Sequence, residues 1–361
     1  MGRPAKIIID LEALRHNVNQ VKCRAPTQSL LAMVKSNAYG HGLQQIGKAL
    51  ENASALGVAC IEEGLMLRKA GIKTPIVLME GLFAPEELKV AAENHFTLIV
   101  HHAFQLKMLE RSIALPPFPV WLKIDTGMHR LGFAMTEIPA VYQKLIESPL
   151  VQKPIGLMTH FAESDLLDRD TTQQQIRDFH ATCKHFPGPR SLANSAAIIA
   201  WPESRGDWVR PGIMLYGASP FKGQIGESIH LRPVMSLCSE LIAIHDIQKG
   251  DRVGYGGTYT APEKMRIGVV AMGYGDGYPQ FTPNGTPVLI NGRSCPLAGR
   301  VSMDMLTVDL RSEPEAKIGD SVLLWGPGLP VEKIAENNHT SAYELLTRIT
   351  ERVPKHYKFI L

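Results

Sequence analysis

Leu30-Leu31-Ala32-Met33-Val34-Lys35-Ser36-Asn37-Ala38-Tyr39-Gly40-His41-Gly42 sets an unbroken apolar run ahead of one lysine and a glycine-punctuated turn. A run without polar alternation suits a strand covered on both faces, as in a parallel sheet. Lys35 stands at its C-terminal end, where burial disfavours the ammonium form and lowers the pKa. A deprotonated amine can attack a carbonyl and form a Schiff base. On this segment alone, a lysine that snorkels to solvent remains open.

The same pattern recurs outward from this stretch. Residues 30–35, 56–60, 75–79, 97–100, 120–124, 155–160, 191–194 and 209–216 read as strands. Between them, 43–52, 61–70, 85–94, 103–110, 139–147 and 171–186 read as amphipathic helices, with Pro85 and Pro139 tolerated in a first turn. Strands alternating with helices in this number predict a (β/α)8, TIM-like α/β barrel over residues 1–230. An open doubly wound sheet is the alternative, disfavoured because no G-x-G-x-x-G follows an early strand. Beyond residue 230 the runs 237–247, 252–259, 266–272, 287–290, 305–310 and 321–324 are punctuated by turn residues such as Asn291-Gly292. They predict a mainly antiparallel β domain over 231–361, with helices only at 331–338 and 341–349. The helix near 10–24 and the strand before it can pack against either part.

Composition narrows the class of function. The chain has 361 residues, 45% hydrophobic and 20% charged, with a net charge of +3. That size predicts two domains or a barrel with an appendage, and that charge argues against nucleic acid or an anionic membrane as partner. Cys23, Cys60, Cys183, Cys238 and Cys295 include no C-x-x-C pair, which points away from zinc or a disulfide framework. No signal-peptide core and no membrane-length apolar stretch are evident, so a cytoplasmic protein is expected.

In a barrel, functional groups gather at the C-terminal ends of the strands. Lys35 and Tyr39 follow the first strand; Lys123, Asp125, His129 and Arg130 belong to the fifth; Thr159 and His160 end the sixth. Asn194 and Ser195 follow the seventh, and Arg210 lies in the eighth. A rim rich in cations and poor in carboxylates points to an anionic ligand.

These segments carry a resemblance. Residues 34–42, Lys123-Ile124-Asp125-Thr126-Gly127-Met128-His129-Arg130-Leu131-Gly132, Asn194-Ser195-Ala196 and Arg210-Pro211-Gly212-Ile213 in the first part match in order. So do Gly254-Tyr255-Gly256-Gly257-Thr258-Tyr259, Gly273-Tyr274-Gly275-Asp276-Gly277 and Gly299-Arg300-Val301-Ser302-Met303-Asp304 in the second. Over nearly its whole length the chain resembles the bacterial alanine racemases, which use pyridoxal 5′-phosphate. Gly275 stands where alanine is often found, a small change without obvious consequence.

The resemblance implies a head-to-tail homodimer in which each site joins one subunit's barrel to the other's β domain. Lys35 would carry the cofactor as a Schiff base, and Tyr39, Ser195, Gly212, Ile213 and Tyr343 would hold its phosphate. Arg210 would face the pyridine nitrogen with His160 behind it. Arg130 would meet the substrate carboxylate, Met303 would offer a backbone N–H, and Tyr274, Arg300 and Asp304 would line the channel with Tyr343. Lys123 would be a carbamylated lysine, with a Lys123–Asp125 ion pair as the alternative. L-alanine and D-alanine would interconvert through two acid/base groups on opposite faces, Lys35 and Tyr255, since one base cannot cross the substrate plane. A pyridoxal-phosphate-binding homeostasis protein or a broader amino-acid racemase are the rival readings. The first lacks a β domain and an opposing tyrosine; the second usually carries a signal peptide.

Overall fold

The run that opens at Leu30 does form a covered strand, Ser29–Met33, with Leu30 to Met33 all buried. The computed structural model describes residues 2–111 and 115–358. Trp208–Val209, Ser29–Met33, Ala55–Val58, Ile76–Leu78, Phe96–Val100, Phe118–Asp125, Val151–Met158 and Arg190–Ser191 lie side by side in that order, each neighbouring pair parallel. The ends of this path approach each other: the Asp207 N–H donates to the Arg190 carbonyl at 2.8 Å, and the Arg210 N–H to the Ala193 carbonyl at 2.9 Å. The sheet is therefore a nearly closed barrel with helices in its crossovers. Ile138–Glu147 shows why these helices form: Ile138, Val141, Tyr142 and Leu145 fall on one face and are buried, and Pro139 occupies the first turn. Leu31 and Leu56 are fully buried between the layers, where truncation to alanine costs about 2–5 kcal/mol.

The last two barrel strands are shorter than the expected 191–194 and 209–216. Asn194 leaves the ladder because its side chain caps the helix Ser195–Ala200, accepting from the Ala197 N–H at 3.0 Å. The other strand stops at Val209, before Pro211 and Gly212, and the chain turns into the 3₁₀ segment Ile213–Tyr216.

The second sheet runs Arg293–Pro296, Pro287–Ile290, Ser321–Trp325, Met235–Ile247, Lys6–Asp10, Lys355–Lys358, with Met265–Val270 joining Met235–Ile247 and Leu306–Asp309. Most pairs are antiparallel; Lys6–Asp10 runs parallel to Lys355–Lys358. Residues 6–10, counted with the barrel in a division at 230, thus belong to the second sheet. Asp10 ends that strand and caps the next helix, Leu11–Arg24, accepting from the N–H groups of Glu12 and Ala13 at 2.9 Å. The expected strand 252–259 is instead two short pieces, Arg252–Val253 and Tyr259–Thr260, around a 3₁₀ turn at Tyr255–Gly257. One continuous hydrophobic core spans both parts, from Ala5 to Val353. Among the described residues no helix is long and apolar enough to cross a membrane.

Candidate active site

After Lys35 the backbone enters an uncommon conformation: Ser36, Asn37, Ala38 and Tyr39 all have φ of 53°. Left-handed helical backbone costs roughly 1–2 kcal/mol for each non-glycine residue, so such a turn needs support from its surroundings. Glu63 supplies it. Its Oε1 accepts from the N–H groups of Ser36 at 2.7 Å and Asn37 at 3.4 Å, and its Oε2 from Ala59 at 2.9 Å. His41 is fully buried, and burial holds its pKa down to about 4. The neutral ring donates from Nδ1 to the Tyr39 carbonyl, 2.8 Å away. The Tyr39 ring stacks on Tyr216 at 4.7 Å, and the Tyr216 hydroxyl donates to the Met33 carbonyl at 2.8 Å. The Lys35 amine and the Tyr39 ring are thereby aimed into one cavity.

That cavity, about 630 Å³, lies at the C-terminal ends of the barrel strands and is lined by Lys35, Tyr39, Lys123, Arg130, His160, Ser195, Arg210, Gly212, Ile213 and Tyr343. Every one of these was named from the sequence. Glu80 and Glu344 are its carboxylates. The excess of cations shows in their protonation. Burial, then Arg130, lowers the Lys35 pKa. Burial, then Arg210, Arg130 and Lys35, brings Lys123 down to about 8. Lys123 sits within the strand Phe118–Asp125 and is buried. The Lys123–Asp125 ion pair does not form: Asp125 turns to the next loop, accepting from the Gly127 and His129 N–H groups at 2.9 and 3.0 Å and pairing with the His129 ring at 3.1 Å.

Arg210 is buried and held from several directions. It donates to Ser191 Oγ at 2.7 Å and to the carbonyls of Thr159 at 2.6 Å and Leu192 at 3.0 Å. Burial lowers its pKa to about 9, so it is charged at neutral pH. Nearby, the Ser195 hydroxyl accepts from the Gly212 N–H at 2.9 Å. A β-carbon on residue 212 would come within 2.3 Å of the Tyr39 hydroxyl, so only glycine lets that hydroxyl approach the backbone here.

Tyr255, Met303, Tyr274, Arg300 and Asp304 do not line this cavity in their own chain. They belong to the second domain, where Tyr255 is 70% and Met303 52% exposed. The Arg300 guanidinium covers the exposed Phe281 ring at 5.9 Å. Asp304 accepts from Arg352 at 2.5 Å. Sequence reasoning missed Glu63 and Glu80. Glu63 lies on the helix Ile61–Lys69, where an acidic residue in the first turn looks like ordinary helix capping.

Comparison with known proteins agrees with this architecture. The family models for the alanine racemase N-terminal and C-terminal domains match residues 9–220 and 234–357. The chain is 50% identical over 354 residues to an alanine racemase of Coxiella burnetii (strain RSA 493 / Nine Mile phase I), covering 97% of each chain. It is 48% identical to "Alanine racemase, biosynthetic" of Escherichia coli O6:H1, covering 98% of this chain and 99% of the relative. The crystal structure of biosynthetic alanine racemase from Pseudomonas aeruginosa superposes with a TM-score of 0.96 at 42% identity, covering 99% of this chain and 100% of that one. Similarity of this extent, running through the barrel and the β domain alike, places the chain in the alanine racemase family.

Proposed function

We propose that the protein interconverts L-alanine and D-alanine with pyridoxal 5′-phosphate held in the barrel cavity, acting as a homodimer whose sites are completed across the interface. The observation that carries this reading is the joint placement, in one cationic cavity, of an amine-bearing strand end and a hydroxyl-rich cradle. The donor set suits the cofactor. Tyr39 and Ser195 bring hydroxyls to the backbone at Gly212, where a β-carbon would meet the Tyr39 hydroxyl, a close approach that suits a phosphate site. Buried Arg210 suits a ring nitrogen that stays unprotonated, because arginine does not readily release a proton.

When bound, pyridoxal phosphate acts as an electron sink that acidifies the α-C–H bond of an attached amino acid. Lys35 would hold it covalently, and its amine would exchange the α-proton on one face, its lowered pKa favouring the free base. The partner subunit's Tyr255 exchanges the proton on the other face. The 70% exposure of Tyr255 in the single chain supports this, since a tyrosine on an open turn has room for a second subunit. Arg130 would orient the substrate carboxylate, and Arg210 would face the ring nitrogen with His160 behind it. Relatives named "biosynthetic" favour D-alanine supply for peptidoglycan over alanine catabolism. A match to the C-terminal domain family over 234–357 weighs against a homeostasis protein.

The test is to purify the protein with pyridoxal phosphate, reduce it with borohydride, and map the added mass. The adduct is expected on Lys35, with L-alanine losing optical rotation in the unreduced enzyme. An unmodified Lys35, or alanine whose rotation persists, overturns the proposal.

A further inference from the structure

Gly275 carries more than the sequence suggested. Its φ lies outside the left-handed region, so its backbone conformation does not call for glycine. A β-carbon there would still move a neighbour: it would sit 2.3 Å from Nη1 at the flexible end of Arg352, 3.1 Å from the Met303 carbonyl oxygen and 3.3 Å from Met303 Cγ. Arg352 occupies the seat that a methyl group would take. From it, Nη2 donates to Asp304 Oδ1 at 2.5 Å while Nε lies 3.6 Å from Asp276 Oδ1.

Asp276 is fully buried and accepts from the Gly273 N–H at 2.8 Å. Arg3 also pairs with it and reaches the Asp304 carbonyl. Two backbone bonds zip the turns together, from the Tyr274 N–H to the Ser302 carbonyl at 3.0 Å and from the Gly275 N–H to the Met303 carbonyl at 2.9 Å. Thr350 ties the same turn to the chain beyond the helix Ala342–Thr347, its hydroxyl donating to the Gly275 carbonyl at 3.0 Å. That helix carries Tyr343 of the cavity wall.

We propose that Arg352, seated across Gly275, is a positioning residue that holds the Met303–Asp304 turn against Tyr274 and thereby sets alanine access to the partner subunit's site. This rests on the proposed racemase dimer. Arg352 touches neither the cavity nor, on that reading, the reacting atoms; it acts through the turn. Gly275→Ala displaces the guanidinium by volume, and Arg352→Gln removes it by chemistry. Both act on one arrangement, so their effects do not add. Asp276 keeps Arg3 as a partner in either variant, which leaves the buried carboxylate paired.

The experiment uses the cofactor-loaded dimer of the wild type, Gly275→Ala, Arg352→Gln, the double variant and Arg352→Lys. It measures kcat and KM for both alanine enantiomers and the dimer fraction by sedimentation. Each single variant is expected to raise KM about 10-fold, the size of a lost charge-assisted hydrogen bond, with kcat little changed and the dimer intact. The double variant should match the worse single one, and Arg352→Lys should recover part of the loss. An unmoved KM, additive losses, a fall confined to kcat, or dissociation of the dimer would each overturn the assignment. A wild type that racemises alanine while the variants leave KM unmoved defeats this inference alone; a wild type that does not racemise alanine defeats the proposed function, and this inference with it.

Discussion

Nδ1 of His160 lies 3.3 Å from Nη2 of Arg210, and the guanidinium is the donor. Burial and the same guanidinium push the His160 pKa well below its ordinary value, so the ring is neutral and carries its proton on Nε2. A neutral acceptor behind Arg210 steadies the cation without neutralising it. A carboxylate at that place would act differently. It would draw the positive charge toward itself and leave fewer guanidinium N–H groups for the cavity.

On the proposed mechanism, Arg210 governs which product leaves. Arg210→Glu places an acid where the ring nitrogen is proposed to lie and favours its protonation. Racemisation should fall and transamination rise, seen as pyruvate released from alanine in amounts approaching the enzyme concentration. A ratio of pyruvate to racemised alanine equal to the wild type's would remove Arg210 from this role.

Much of the barrel site was legible because strands deliver their terminal residues to one rim whatever the details of pairing. Lys35, Lys123, His160 and Arg210 needed only the strand count and the rule that chemistry sits at the C-terminal ends. What escaped depended on distance in sequence. Glu63 is 26 or more residues from the N–H groups of Ser36 and Asn37 that it supports, and nothing in a helix-starting glutamate announces that task. The strand Lys6–Asp10 was ambiguous for a similar reason: Lys-Ile-Ile-Ile-Asp fits either sheet, and only pairing with Met235–Ile247 decides. Gly275 was unreadable because its neighbour Arg352 is brought there by tertiary structure alone.

Glu63 gives a test of the left-handed turn. Glu63→Ala removes one carboxylate that accepts three backbone N–H groups. Stability should fall by about 1.5–3 kcal/mol, the range for hydrogen bonds to a charged group, measured by urea unfolding. Activity should fall further than stability explains, because the Lys35 amine loses its fixed direction. Glu63→Gln, with only one acceptor oxygen, should lie between.

Lys123 links charge to pH. Its ordinary pKa is 10.5 and the folded value is about 8. Between these values the unfolded chain holds the proton and the folded chain does not, so stability should rise with pH across that window. Below about 8 both states are protonated and the cost of the buried charge is fully present. Lys123→Met should thus stabilise the protein at pH 7, on the order of 3 kcal/mol, with the advantage shrinking toward pH 10. Carbon dioxide offers another outcome: the free amine adds CO₂, forming an N–C bond and releasing one proton, and the resulting anion faces Arg130. Bicarbonate should then raise activity and add the mass of one CO₂ under mild ionisation, and a plain amine at full occupancy sinks the carbamate.

The proposed sharing of sites between subunits makes the sharpest prediction. Lys35 lines the barrel cavity, whereas Tyr255 lies on an exposed turn of the second domain and does not line it. If each site takes Lys35 from one subunit and the partner subunit's Tyr255, then Lys35→Ala and Tyr255→Phe homodimers both have two damaged sites. A mixed dimer of these variants has both lesions in one site and neither in the other. Random reassociation of equal amounts makes half of the dimers mixed, so about a quarter of wild-type activity should return. Recovery should follow the mixing ratio and vanish when the subunits cannot exchange. If both residues came from the same subunit, every site in a mixed dimer would carry one lesion and mixing would restore nothing. The assay separates the two arrangements without any assumption about which proton each residue moves.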